Sequence, residues 1–139
     1  MNDLQLEGAR QLRVLVVDDC VDIRDVLSCV IERDGHLSRT AGDGLEAVEI
    51  LQHESFDMML LDISMPRMNG VEVARWLQAH PDVAPTMRVV AITAWGEENM
   101  ESLMEFGVAS VLPKPLPLQR LKALMAETLQ DLELSQPVG

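Results

Sequence analysis

Tyrosine is absent from this sequence, and two phenylalanines and two tryptophans are all the aromatic residues its 139 positions hold. A core must therefore be aliphatic, with nine methionines as adaptable filler. Two cysteines, Cys20 and Cys29, make no disulfide framework, CxxC pair or zinc-ligand set, so free thiols in a reducing cytosol are the default. Basic residues are scarce: 11 Lys and Arg against 23 Asp and Glu give a net charge of -12. That balance argues against the clustered positive surface that nucleic acid needs, and against an anionic membrane. The N-terminal MNDLQLEGARQ has no apolar signal core, and no apolar run approaches the roughly 18 residues that span a bilayer. The expectation is a soluble cytoplasmic protein that binds neither nucleic acid nor membrane.

Five short apolar runs are present: VLVV (14–17), HLSRTA (36–41), FDMMLLD (56–62), RVVAIT (88–93) and ASVL (109–112). Helical period fills the gaps between them. Ile23, Leu27, Val30 and Ile31 share a face; Asp43-Gly-Leu-Glu46 reads as a capping box ahead of inward Leu45, Val48 and Leu51. Val71, Ala74 and Leu77 mark a third helix, and Met100, Leu103 and Met104 a fourth. Leu118, Leu121, Leu124, Met125, Leu129 and Leu132 mark a fifth, ending near Leu132. Strand and helix thus alternate five times, the pattern of an α/β fold whose parallel sheet is covered on both faces. The first, third and fourth strands are continuously apolar, as doubly buried strands are, and HLSRTA reads as an edge. The series leaves no room for a second domain among these residues.

Ligand sites in open parallel sheets lie beyond the carboxyl ends of the strands. Those ends carry Asp18 and Asp19, then Asp62, then Thr93, then Lys114. One acid at a strand end is more often a helix cap than a ligand. Complementary groups at four matching ends favour a site. The first loop, DDCVD, has three acids and no glycine, so it cannot cradle a free phosphate as glycine-rich loops do. Three carboxylates suit Mg²⁺, and the cation can then hold a phosphoryl group.

VVDD with Arg24 five residues on, LLDISMPRMNG, AITA and LPKP together resemble the receiver domains of two-component response regulators. The resemblance spans about residues 12–132, with 1–11 and 133–139 as tails. It implies a flavodoxin-like (βα)5 doubly wound sheet of strand order 2-1-3-4-5. Asp62 would be the phosphoacceptor, taking its phosphoryl group from a sensor histidine kinase or a histidine phosphotransfer protein. Asp18, Asp19, Asp62 and the backbone carbonyl of Ser64 would hold Mg²⁺, with Asp18 acting mainly through water. Thr93 and Lys114 would contact the transferred phosphoryl oxygens. Lys114-Pro115 resembles the family's cis peptide, and Asn69-Gly70 fits a turn needing positive φ. Output would pass through a downstream protein on the face of the fourth helix, fifth strand and fifth helix, made acidic by Glu97, Glu98, Glu101 and Glu105.

Three departures from the family pattern stand out: Val111 where an aromatic is usual, Trp95 at the rim, and the small Ser64. A Mg²⁺-dependent phosphatase with an aspartyl nucleophile is the competing enzyme reading. It needs a second Asp two residues after Asp18, and that position is Cys20. A flavodoxin-like cofactor carrier fails on the acidic first loop. His36, His53 and His80 lack ligand spacing and read as surface residues; Cys20 sits among acids that discourage a thiolate.

Overall fold

The computed structural model describes residues 10–94 and 100–135, and of Met100, Ser102 and Ser135 only the backbone. Strand and helix alternate through it: β1 (Arg13–Val17), α1 (Val21–Arg33), β2 (Leu37–Ala41), α2 (Gly44–Leu51), β3 (Met58–Asp62), α3 (Gly70–Ala79), β4 (Arg88–Thr93), α4 (Met100–Glu105), β5 (Ser110–Pro113) and α5 (Leu118–Ser135). The strands form one parallel sheet in the order β2-β1-β3-β4-β5. All five carboxyl ends therefore lie along the same edge.

Period-two alternation sorts the apolar strand residues onto two cores. Val14, Val16, Met58, Leu60, Val90 and Ile92 face Leu27 and Ile31 of α1 and Leu121, Leu124 and Met125 of α5. Their neighbours Leu15, Val17, Met59, Leu61, Val89 and Ala91 face Ala47, Ile50 and Leu51 of α2, Val73 and Ala74 of α3, and Leu103 of α4. Leu15, Met58, Met59 and Leu61 are fully buried. Each such side chain contributes about 1.5–3 kcal/mol, which is how a core without tyrosine holds. In β2 only Ala41 is buried, and Leu37 is half exposed, as an edge strand allows.

Several helix residues differ from the sequence reading. Leu45 and Met104 were expected inward and are about half exposed, whereas Val48, Leu51 and Leu103 are buried as expected and Ala47 and Ile50 join them. Ile23 and Leu118 are also exposed, and both line a groove beside Lys114. Helix α5 runs past Leu132 to Ser135. The box at Asp43 is not reciprocal: its carboxylate accepts the Glu46 N–H, but Glu46 accepts from Gly42 instead. The reciprocal box lies at Asn69 and Glu72, opening α3.

His36 is half-buried and not a surface residue: the Leu12 N–H donates to its Nδ1 at 3.0 Å. Burial lowers its pKa, in keeping with a ring that accepts a hydrogen bond. Gly70 has no positive φ; Arg67 and Met68 carry it, at 51° and 65°. The glycine is needed for a different reason. A Cβ at position 70 would lie 2.6 Å from the Asp62 carbonyl oxygen and 2.8 Å from Ile63 Cα.

Candidate functional site at the carboxyl edge of the sheet

Strand register brings the strand-end residues together. β1 and β3 pair Val17 with Leu61, so Asp18 continues β1 alongside Asp62, the last residue of β3. β3 and β4 pair Asp62 with Ile92, and Thr93 follows at the end of β4. Thr93 pairs with Pro113, and the Lys114 N–H donates to the Thr93 carbonyl at 3.0 Å. The Lys114–Pro115 bond is cis.

Asp18 and Asp62 are buried at 2% and 1% exposure, Thr93 is buried, Lys114 is half-buried and Asp19 is exposed. Lys114 Nζ lies 3.0 Å from Asp62 Oδ2 and 3.5 Å from Asp18 Oδ2. Asp18 Oδ1 accepts the Cys20 N–H at 2.9 Å, and Asp62 Oδ1 accepts the Ser64 N–H at 3.1 Å. Arg24 reaches across the first loop, its Nη1 donating to the Asp18 carbonyl at 2.6 Å.

Charge in this crevice is poorly solvated. Burial is the chief influence raising the Asp62 pKa, and the Asp18 charge adds to it, against the lowering effects of Lys114 and the Ser64 N–H. Burial pulls the Lys114 pKa down, but hydrogen bonds and charges from Asp62 and Asp18 outweigh it and leave the ammonium favoured. One cation thus faces two buried acids, with a third acid at the rim.

That imbalance has room for another cation. Asp18, Asp19 and Asp62 each offer an oxygen within 4.8 Å of the others. Asp62 Oδ2 is buried and makes no hydrogen bond beyond its ion contact with Lys114. An all-oxygen, anionic set with a buried, under-satisfied acceptor fits a hard divalent ion such as Mg²⁺.

The sequence matches the family described as response regulator receiver domain over residues 14–126. The chain is a member of that family. Among its relatives, the sporulation initiation phosphotransferase F of Bacillus subtilis is 31% identical over 111 residues, covering 79% of this chain and 87% of that protein. The protein-glutamate methylesterase/protein-glutamine glutaminase of Pyrococcus abyssi is 39% identical over 108 residues, which are 76% of this chain and 29% of that protein. This receiver domain spans about three-tenths of the length of that relative and of two further protein-glutamate methylesterase/protein-glutamine glutaminases. In structure it resembles the CheY-like receiver domain protein of Methanospirillum hungatei, with a TM-score of 0.82 and 25% identity over 91% of this chain and all of that one. It takes part in two-component signal transduction, and its role is regulatory.

Of the three departures, Val111 is half-buried and packs against the core on the α2–α4 side, and Ser64 is exposed. Trp95, Glu97 and Glu98 lie outside the described residues. No helix among the described residues is long and apolar enough to cross a membrane. Arg24 was visible in the sequence only as part of a motif; nothing there announced its bond to a backbone carbonyl. Cys20 and Cys29 are exposed thiols.

Proposed function

We propose that Asp62 accepts a phosphoryl group from a phosphohistidine, and that this domain signals through the modified state. The carrying observation is the position of the Asp62 carboxylate. It is buried at the end of β3, 3.0 Å from Lys114 Nζ and within one cluster with Asp18 and Asp19. In the transfer, a carboxylate oxygen of Asp62 attacks phosphorus. The P–N bond to the donor histidine breaks, its electron pair stays on the imidazole, and an acyl phosphate forms. Phosphoryl transfer demands in-line positioning and charge neutralisation above all.

Asp18, Asp19, Asp62 and the Ser64 carbonyl would hold Mg²⁺, with Asp18 acting mainly through water. Bound there, the ion would neutralise charge on the transferred group. Lys114 supplies a fixed positive charge against Asp62, and Thr93 ends the neighbouring strand with a hydroxyl for a phosphoryl oxygen. Arg24 holds the acidic loop by its backbone. In this reading the domain catalyses only its own phosphorylation and dephosphorylation, in the cytoplasm, and binds no nucleic acid directly.

The donor is a sensor histidine kinase or histidine phosphotransfer protein. A groove of about 430 Å³ supports its docking beside the site. Asp18 and Lys114 contribute charged groups to its lining, and Ile23, Val26, Leu116 and Leu118 apolar ones. Val26 is 53% exposed, so this surface has no partner within the described fold. The downstream protein would use the α4–β5–α5 face, whose first helix carries the exposed Glu101 and Glu105.

Incubation with a small-molecule phosphodonor and Mg²⁺ tests the proposal by intact mass. One phosphoryl group should be added, only with the metal present, and Asp62→Asn should add none. A wild-type protein that gains no mass, or gains it equally without Mg²⁺, would overturn it.

A further inference from the structure

Arg67 and Met68 are successive non-glycine residues in left-handed backbone, at φ 51° and 65°. Left-handed conformation crowds the Cβ of an L-residue, so two in succession persist only where their surroundings hold them. Those surroundings lie on a different element. Arg67 Nη2 pairs with Asp43 Oδ2 at 2.9 Å, and the Asp43 side chain is only 17% exposed. The other Asp43 oxygen caps α2 by accepting the Glu46 N–H at 2.8 Å. Gly44, next in the chain, packs main chain to main chain on Met68. A Cβ there would stand 2.1 Å from the Met68 carbonyl oxygen and 2.8 Å from Val73 Cγ2.

The base of the same loop is anchored too. The Gly70 N–H donates to the Ile63 carbonyl at 3.1 Å, and the Ser64 N–H donates to Asp62 Oδ1 at 3.1 Å. Residues 64–69 are therefore held at the base by β3 and at the tip by the start of α2. Ser64 lies between these anchors. Its carbonyl is aimed by backbone alone, since no rotamer can redirect it.

We propose that the Arg67–Asp43 ion pair and the Gly44–Met68 contact form a latch that positions the Ser64 carbonyl for the cation held by Asp18, Asp19 and Asp62. This rests on the Mg²⁺ reading of the site. Arg67 is a positioning residue: its ion pair is with Asp43, not with the carboxylates of the cluster. Without the latch, the left-handed pair relaxes and the carbonyl loses its fixed direction. The cation then spends binding energy on ordering the loop.

Calorimetric titration of the full chain with MgCl₂ tests this, alongside melting of the metal-free protein. Asp43→Asn retains a good helix cap and removes the charge, and Arg67→Ala removes its partner. Each should weaken Mg²⁺ binding roughly two- to fivefold, the range that a partly exposed ion pair supports. The double variant should weaken it no further, and Arg67→Lys should restore most of the affinity. Metal-free melting should move little in all of these, because the cap and the core are intact. Gly44→Ala drives a Cβ into the Met68 backbone and should weaken Mg²⁺ at least about tenfold. Should that variant fail to fold, Asp43→Asn and Arg67→Ala decide the matter. Wild-type affinity in both would overturn the latch while leaving the metal site standing. A wild-type protein that binds no Mg²⁺ would overturn the latch and the metal site together.

Discussion

Lys114 Nζ stands 3.0 Å from Asp62 Oδ2, although Asp62 ends β3 and Lys114 follows β5, two strands that do not touch. β4 separates β3 from β5, and the lysine crosses it from the loop beyond Pro113. The pair is thus made by strand order and register, and it neutralises the most buried acid of the site. Removing one partner of a buried ion pair leaves an uncompensated charge and costs about 3–5 kcal/mol; at 24% exposure, Lys114 should fall below that range. Lys114→Met is expected to lose about 2 kcal/mol in urea unfolding at neutral pH without metal. The loss should shrink in an Asp62→Asn background. An equal loss in both backgrounds would contradict the pairing.

Stability of the metal-free protein should depend on pH through Asp62. Burial first, and Asp18 second, raise its pKa above the ordinary 3.8. As pH rises past that value, the unfolded carboxyl releases its proton while the folded one keeps it. The native state then binds more protons, so stability falls with rising pH until the folded pKa is passed. Asp62→Asn should abolish that fall and be more stable than wild type at neutral pH. Mg²⁺ at a hundredfold excess over Kd should stabilise the wild type by about 2.7 kcal/mol and so reverse the ranking. Melting curves from pH 4 to 8, with and without MgCl₂, read both effects.

Two glycine substitutions separate site geometry from local strain. Gly70→Ala forces a Cβ against the Asp62 carbonyl oxygen and the Ile63 backbone, and should cost about 3 kcal/mol while slowing phosphorylation. Gly35 has φ +88° and open space around it, so Gly35→Ala should cost about 1 kcal/mol by strain alone. Its phosphorylation rate should equal that of wild type. Equal rates for both variants would remove the argument that Gly70 shapes the phosphoacceptor's surroundings.

Arg24→Gln tests whether the acidic loop is held by its backbone. A hydrogen bond from a charged group contributes about 1.5–3 kcal/mol, and the Arg24 bond to the Asp18 carbonyl is 2.6 Å long. Folding stability should fall by about 1–2 kcal/mol and Mg²⁺ affinity with it. Unchanged Mg²⁺ binding would confine Arg24 to a structural part.

The strands and their alternation with helices were legible because apolar runs and helical period report burial directly. Once strand order is given, the strand-end positions become neighbours, and Asp18, Asp62, Thr93 and Lys114 meet as register dictates. Less legible was whatever depends on contact between distant segments. Leu45 and Ala47 both fit an apolar face, and only packing into the shared core selects Ala47. Asn69-Gly70 carries the usual signal for positive φ, yet the left-handed residues are Arg67 and Met68, held there from α2. His36 gave no sign that the Leu12 N–H needed an acceptor.

Borohydride trapping reads at residue level whether Asp62 carries the phosphoryl group. Reduction of an acyl phosphate turns the aspartyl side chain into homoserine, which peptide mass spectrometry locates. After treatment with a phosphodonor and Mg²⁺, homoserine should be found in place of Asp62 and at no other acid. Homoserine in place of Asp18 or Asp19, or none anywhere in protein shown by intact mass to be phosphorylated, would rule out Asp62 as the acceptor.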